Sequence, residues 1–286
     1  MNTNFQKTQY DGQLGFRLHH TIGSEASGST LDYSHRHFTN MLIYFIHGTG
    51  SIRIEGKHYD ICEGDMILLN PTELFCCTVE SNVFHERIVL YVSDSFLSNF
   101  SCAAPDLLTP FTGRDKGLGN RISAQTARAH KLDALLSGLL KLSQSPTPNT
   151  QLLSLCKMGE LLVHLKEATS PGCRGELTMH DTLADNILAY LNSHYQQSIS
   201  LSTIADIFGF HKSYLSHLFT EQVGMSLWNY VILRRLNAFD ELVRQGTPLE
   251  EACYQVGFQN YSNFFRLYKK HTGMTPMQFK KQLLEK

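Results

Sequence analysis

Two periodicities divide the chain. Between residues 41 and 92, apolar runs of strand length alternate with turn residues: MLIYFIH, then Gly48 and Gly50, SIRIE with Ile52 and Ile54 alternating, Gly56, HYDIC, Glu63-Gly64-Asp65, MILLN, Pro71 and later ERIVLYV. Short runs punctuated this way predict antiparallel strands in a small barrel or sandwich. From about residue 118 the spacing turns helical. Ala124–Leu142 and Gln151–Lys166 read as two amphipathic helices parted by SQSPTPNT, whose Pro146 and Pro148 break the pattern. The run SPGCRG has linker composition. The remainder is predicted to be all helical and contains a repeat. Leu201, Ile204, Ala205, Phe208, Gly209 and Phe210 return 48 positions later as Leu249, Ala252, Cys253, Val256, Gly257 and Phe258. Leu215, Leu218, Phe219 and Gly224 return 49 positions later as Phe264, Leu267, Tyr268 and Gly273. Apolar positions at i, i+3, i+4 and i+7, closed by a glycine and followed by a second apolar face, describe helix, tight turn, helix. That arrangement presents its second helix to a DNA major groove.

Between the copies, Trp228, Val231, Ile232, Arg235, Leu236, Phe239, Leu242 and Val243 have helical spacing. A helix over Ser226–Arg244 would be roughly 28 Å long, near the ~34 Å between successive major-groove faces of B-DNA. One rod would thus carry both recognition helices along one side of the duplex. The sequence therefore divides into a sheet domain over 1–116, a helical pair over 117–169, a linker over 170–180 and a helical domain over 181–286, an α+β chain.

Composition adjusts this picture in three places. With 286 residues the chain can hold two cores, and no apolar run reaches membrane-spanning length. The N-terminal MNTNFQKTQYDG lacks the apolar core of a signal peptide, and seven cysteines without repeated spacing argue for reduced thiols in a cytoplasm. Net charge is −1, which is unhelpful to a DNA binder until its distribution is examined. Residues 181–286 hold 10 Lys and Arg against 9 Asp and Glu, but between Gln259 and Lys281 stand Arg266, Lys269, Lys270, Lys280 and Lys281 without an acid. Such a patch, coinciding with the second recognition helix, can neutralise phosphates.

Residues 252–280 resemble the signature of the AraC/XylS family of bacterial transcription regulators in Ala252, Gly257, Phe258, Asn260, Ser262, Phe264, Arg266, Tyr268, Lys269, Lys270, Gly273, Thr275, Pro276 and Phe279. The upstream repeat and its connecting helix, with Tyr230, Arg235 and Leu236, extend the likeness to about 100 residues. Asn260 suits the N-cap of the second recognition helix, and Phe264 and Tyr268, one turn apart, suit its core. Tyr261, Ser262, Asn263 and Arg266 then fall where base edges are met, Arg266 being able to bond two acceptors of guanine. Lys269 and Lys270, with Lys280, suit phosphate. In the first copy the outward residues are Lys212, Ser213, Ser216 and His217. His211 replaces the usual Ser cap, His217 the usual Arg, and Phe239 a usual small residue, so the first contact is expected to be weaker or pH-sensitive and the connecting helix repacked.

The strand region resembles, over His35-Arg36-His37, Gly48-Thr49-Gly50, Gly64-Asp65 and Pro71, the cupin-like effector domain that regulators of this family carry. His35 and His37 share a strand face at a spacing suited to two metal ligands, but Met41 and Phe75 occupy the places of the other two. No metal, no cofactor and no enzymatic activity are therefore expected. His35, His37 and Tyr44 are candidate effector contacts inside an apolar barrel. Leu152, Leu155, Leu162 and Leu165 form a candidate dimer seam, with packing on the chain's own barrel as the alternative. Adjacent Cys76 and Cys77 point to opposite strand faces and seldom bridge, which leaves a redox sensor a minor alternative. The resemblance implies a cytoplasmic homodimer that binds double-stranded DNA, responds to a small-molecule effector, engages RNA polymerase and more often activates than represses. A regulator controlled by a protein partner and a metal-dependent cupin enzyme fused to a DNA-binding domain are the alternatives.

Overall fold

The computed structural model describes residues 6–11, 15–24, 30–31, 39–79, 84–101, 107–170 and 182–284. They form two compact units, the first chiefly from the elements before residue 171 and the second from those after 181. The run 171–180 of the expected linker, and His35 and His37, lie outside the described residues.

The first unit contains β1 (Gln6–Asp11), β2 (Phe16–Ser24), β3 (Thr30–Leu31), β4 (Asn40–His47), β5 (Gly50–Ile54), β6 (Lys57–Ile61), β7 (Met66–Leu69), β8 (Phe75–Val79), β9 (Phe84–Val92), α1 (Asp94–Ser101), α2 (Thr109–Thr112), β10 (Arg121–Ile122), α3 (Ala124–Ala129), α4 (Leu132–Ser143) and α5 (Pro148–Ala168). The cupin-like strands pair as two sheets, ordered β1-β2-β9-β4-β7-β10 and β3-β8-β5-β6. β4 runs antiparallel between β7 and β9 and is buried on both faces, which is why it reads as a continuous apolar run. One face, Leu42 with Leu18, Met66, Leu68, Ile88 and Leu90, packs on Leu135, Leu136 and Leu139 of α4 and Leu161, Leu162 and Leu165 of α5. The other, Met41, Ile43 and Phe45, is buried too, as are Ile52 and Ile54 of β5 and Tyr59 and Ile61 of β6, the pattern of two sheets sharing an interior.

Several elements depart from the sequence-based expectation. The helix expected over Ala124–Leu142 breaks at His130-Lys131, where Lys131 takes φ 57, a left-handed conformation that ends α3 and starts α4. Pro148 opens α5 at its first turn, where a missing N–H costs nothing, beneath a Thr147–Thr150 capping box. β2 and β8 were not anticipated: β2 carries His19, His20 and Thr21 in mid-strand, and β8 carries paired cysteines, so neither shows a clean alternation.

Buried polar groups pin this unit. Asp65 accepts from Cys62 N, Ala124 N and Arg121 Nε, each at 2.9 Å, tying the Gly64-Asp65 turn to the start of α3. Gly64 has φ +89, and a Cβ there would lie 2.8 Å from that of Ala124. Glu73 and Arg114 form a bidentate pair with side chains 0% and 3% exposed. Glu73 also accepts from Asn70 N, Gly117 N and Asn120 Nδ2. Burial by itself raises the Glu73 pKa, yet the guanidinium and these N–H donors outweigh it and hold the carboxyl below its ordinary value.

The second unit is all helical: α6 (Leu183–His194), α7 (Leu201–Phe208), α8 (Lys212–Val223), α9 (Leu227–Arg244), α10 (Leu249–Gln255), α11 (Tyr261–Thr272) and α12 (Pro276–Leu284).

Candidate nucleic-acid interface

The repeat seen in the sequence is a repeat of hydrogen bonds. At the turn after α7, Phe210 N donates to Ala205 O at 3.1 Å; at the turn after α10, Phe258 N donates to Cys253 O at 3.2 Å. The second helices close alike, Gly224 N donating to Thr220 O and Gly273 N to Lys269 O, both at 2.9 Å. Each copy is thus helix, glycine turn, helix, with the glycines at positive φ because only a residue without Cβ enters that region cheaply. Leu215 and Phe219 of α8 are buried with Ile204 and Ala205 of α7, Ile187 and Leu191 of α6 and Tyr230 of α9. In the second copy Phe239 packs against the rings of both Phe264 (4.5 Å) and Tyr268 (5.3 Å), and Tyr268 Oη donates to Asp240 Oδ1 at 2.8 Å. The large residue at 239 therefore fills the core of the second copy.

α9 joins the copies as one unbroken helix of 18 residues, capped by Ser226. At 1.5 Å per residue it spans about 27 Å. Arg235, buried on this helix, donates from Nε to Tyr195 O and from Nη2 to Gln197 O, each at 2.7 Å. A Cβ on Gly257 would stand 2.3 Å from Gln196 O. The 195–197 loop is thus gripped from one side by α9 and met on the other by the second copy's turn, which ties the two helix-turn-helix motifs into one body. Arg235 serves this structural bond, and burial lowers its pKa from the ordinary guanidinium range.

The side chains left outside are those the sequence singled out. On α8, Lys212, Ser213, Ser216 and His217 are all exposed, beside an exposed Phe210–Tyr214 stack with centroids 5.4 Å apart. On α11, Ser262, Asn263, Arg266, Lys269 and Lys270 are exposed, while Tyr261 is half-buried against Phe264. Asn260 caps α11 by accepting from Asn263 N at 2.9 Å, so its side-chain oxygen is engaged within the helix end. His211 precedes α8 without such a bond. Two partners escaped the sequence reading although their spacing shows them. Glu221 lies one turn below His217, 3.6 Å from its Nδ1, and Asn263 Oδ1 accepts from Arg266 Nη2. The first places an acid beside the contact expected to be weaker; the second orients the guanidinium along α11. Trp228, expected among the apolar positions of α9, is instead exposed at its first turn.

In the first unit Tyr44 lies on the helix-facing side of β4, against the α3–α5 layer, with Asp133 and Arg128 close enough to influence its hydroxyl. Burial is the main reason its pKa is raised. This corrects its expected position inside the barrel: alternation from Leu42 turns position 44 to the helices, and the inward residues of β4 are Met41, Ile43 and Phe45. The leucine seam of α5 is corrected similarly. Leu162 and Leu165 are fully buried in their own domain and Leu155 partly so, whereas Leu152 (63% exposed), Leu153 (54%) and Val163 (44%) face out. Cys76 and Cys77 are both buried thiols.

Two helix-turn-helix motifs on a single connecting helix, following a two-sheet domain, define a bipartite DNA-binding protein. Residues 20–162 match the AraC-like ligand binding domain and residues 204–282 a helix-turn-helix domain. The helix-turn-helix regulator YdiP of Escherichia coli is 34% identical over 103 residues, 36% of this chain and 34% of its own length, so the chain spans about a third of that relative. The Msm operon regulatory protein of Streptococcus mutans is 22% identical over 258 residues, 85% of each chain. Among solved structures, unsaturated fatty acid-bound ToxT of Vibrio cholerae overlaps 94% of this chain and 96% of its own at 13% identity, with a TM-score of 0.42. The chain belongs to the AraC/XylS family of transcription regulators. Among the described residues, no helix is long and apolar enough to cross a membrane.

Proposed function

We propose that the protein is a cytoplasmic, non-enzymatic transcription regulator whose two recognition helices, α8 and α11, enter adjacent major-groove segments of one operator. The observation that carries this reading is the single α9 rod, whose length of about 27 Å between the two motifs is near the ~34 Å between successive major-groove faces of B-DNA. Arg266, with Asn263 and Ser262, reads bases from α11, and Lys269 and Lys270 bind phosphate. Tyr261 and the capping Asn260 set the helix start against the backbone. Lys212, Ser213, Ser216 and His217 form the lesser contact of α8, weaker because the carboxylate of Glu221 beside His217 repels phosphate. A small molecule held by the first unit controls this engagement, with His35 and His37 as candidate contacts. The regulator works as a homodimer that positions RNA polymerase for activation. The outer face of α5, with Leu152, Leu153 and Val163, is the candidate dimer contact.

Binding to a selected operator, followed against salt, tests the division of labour. Arg266→Ala should weaken specific binding by about 1–3 kcal/mol and relax preference at one base pair. It should also flatten the salt slope, whereas His217→Ala should leave that slope nearly unchanged. Equal slopes for the two variants would refute the asymmetry.

A further inference from the structure

In the helical layer of the first unit, two helix ends converge on one small cluster. His130 is the C-cap residue of α3, its N–H donating to Arg128 O and Thr126 O. Lys131 follows at φ 57 and turns the chain into α4. His164 and Glu167, three residues apart, share a face in the last turns of α5, which ends at Ala168. His164 Nδ1 stands 3.2 Å and His130 Nδ1 3.8 Å from the same Glu167 Oε2. One donor atom from each of the three residues lies within 4.8 Å of the other two. The imidazoles are 25% and 30% exposed and the carboxylate 56%, so the cluster is reachable from solvent but formed before anything arrives.

We propose that His130, His164 and Glu167 bind a divalent transition metal, with zinc(II) the best match. A tetrahedral ion with bonds of about 2.0–2.1 Å to nitrogen and oxygen needs donor atoms about 3.3–3.4 Å apart. The distances to Glu167 Oε2, 3.2 and 3.8 Å, bracket that length, and the separation of the two imidazoles, within 4.8 Å, closes with small rotations of these half-buried rings. Two imidazole nitrogens and one carboxylate oxygen suit zinc, whereas calcium and magnesium favour oxygen alone. Three protein ligands leave a fourth position for water or an exogenous donor. Both helices also point their C-terminal ends at the cluster, so the negative poles of two helix dipoles favour a cation there. Bound metal would fasten the end of α5 to the α3–α4 corner and stiffen the helical layer that packs on the six-stranded sheet. None of these three residues belongs to the His35/His37 pattern, so the site is independent of any cupin metal centre.

The test is a titration of untagged, chelator-treated full-length protein with cobalt(II), read by the visible absorption of tetrahedral cobalt, and with zinc(II), read by calorimetry. The expected result is one ion per chain, cobalt displaced by zinc, and at least about a tenfold loss of affinity in each of His130→Ala, His164→Ala and Glu167→Gln, since even outer-shell partners carry 10–100-fold. Zinc should raise the melting temperature of the parent protein and not that of the variants. Because Cys62 and Cys156 are exposed thiols, the double variant C62S/C156S should bind as the parent does. Metal-free melting temperatures of the three ligand variants should match the parent within a few degrees, and the isosteric Glu167→Gln decides if either alanine variant unfolds. No stoichiometric binding at micromolar metal, unchanged affinity in Glu167→Gln and the histidine variants, or loss in C62S/C156S would each overturn the proposal.

Discussion

At the scale of single residues, burial separates groups that recognise from groups that hold. Arg266 and Arg235 are both arginines on amphipathic helices, and a sequence shows each as a guanidinium at a family position. Spacing already turned Arg266 outward, with Asn263 three residues before it, but only the structure shows Arg235 spent on two backbone carbonyls. His217 is the converse case, since its partner Glu221 stands at i+4 and was legible from spacing. The Glu73–Arg114 pair was not legible, because its members are 41 residues apart and neither belongs to a patterned run. Its consequence is measurable. The folded-state pKa of Glu73 lies below the ordinary 4.5, so the stability it contributes is fully present above about pH 4.5 and is lost as pH falls through the depressed value. Glu73→Gln should destabilise the first unit by about 3–5 kcal/mol at neutral pH by leaving Arg114 buried without a counter-charge. It should also flatten the acid limb of a stability-against-pH curve measured by urea unfolding. An acid limb unchanged from the parent would show that the pair is not what acid breaks.

At the scale of elements, turn chemistry carried more information than propensity. Gly209, Gly224, Gly257 and Gly273 mark helix ends in the sequence and take positive φ in the structure. What the pattern could not show is that these glycines differ in kind. A Cβ on Gly209 meets nothing within 4 Å, whereas one on Gly257 runs into Gln196 O. Gly209→Ala should therefore cost only the left-handed conformation, about 1–2 kcal/mol. Gly257→Ala must also push the 195–197 loop away from Arg235, and should cost more and weaken DNA binding beyond its effect on stability. Thermal melts and operator affinities of both variants check this, and equal losses would show that Gly257 has no role beyond its φ. The α3–α4 break was illegible for the opposite reason: it sits at a lysine in the left-handed region, a choice that no turn rule anticipates.

At the scale of the whole molecule, the α+β division was readable because a period of two gives way to a period near 3.6 and then to a tandem repeat. The strand pairing was less so, since β2 and β9, neighbours in the sheet, are separated in the sequence by residues 25–83. The α5 leucines show the same limit. Periodicity located an apolar helix but could not divide its leucines between core and surface, and Leu162 and Leu165 went to the core while Leu152 and Leu153 did not. If the outer face of α5 joins two chains, Leu153→Asp with Val163→Asp should convert a dimer to a monomer in sedimentation while leaving far-UV circular dichroism unchanged. A parent protein that sediments as a monomer at micromolar concentration would remove the homodimer from the account.

The central claim is that a single chain lays two unequal recognition helices one turn of DNA apart. Hydroxyl-radical footprinting on an operator selected from random duplexes tests it most directly. Two protected windows are expected on one face of the duplex, centred about 10 base pairs apart per chain, with Arg266→Ala erasing the window under α11 and His217→Ala only thinning the one under α8. A single window per chain, or two windows whose spacing is not a helical turn, would contradict it.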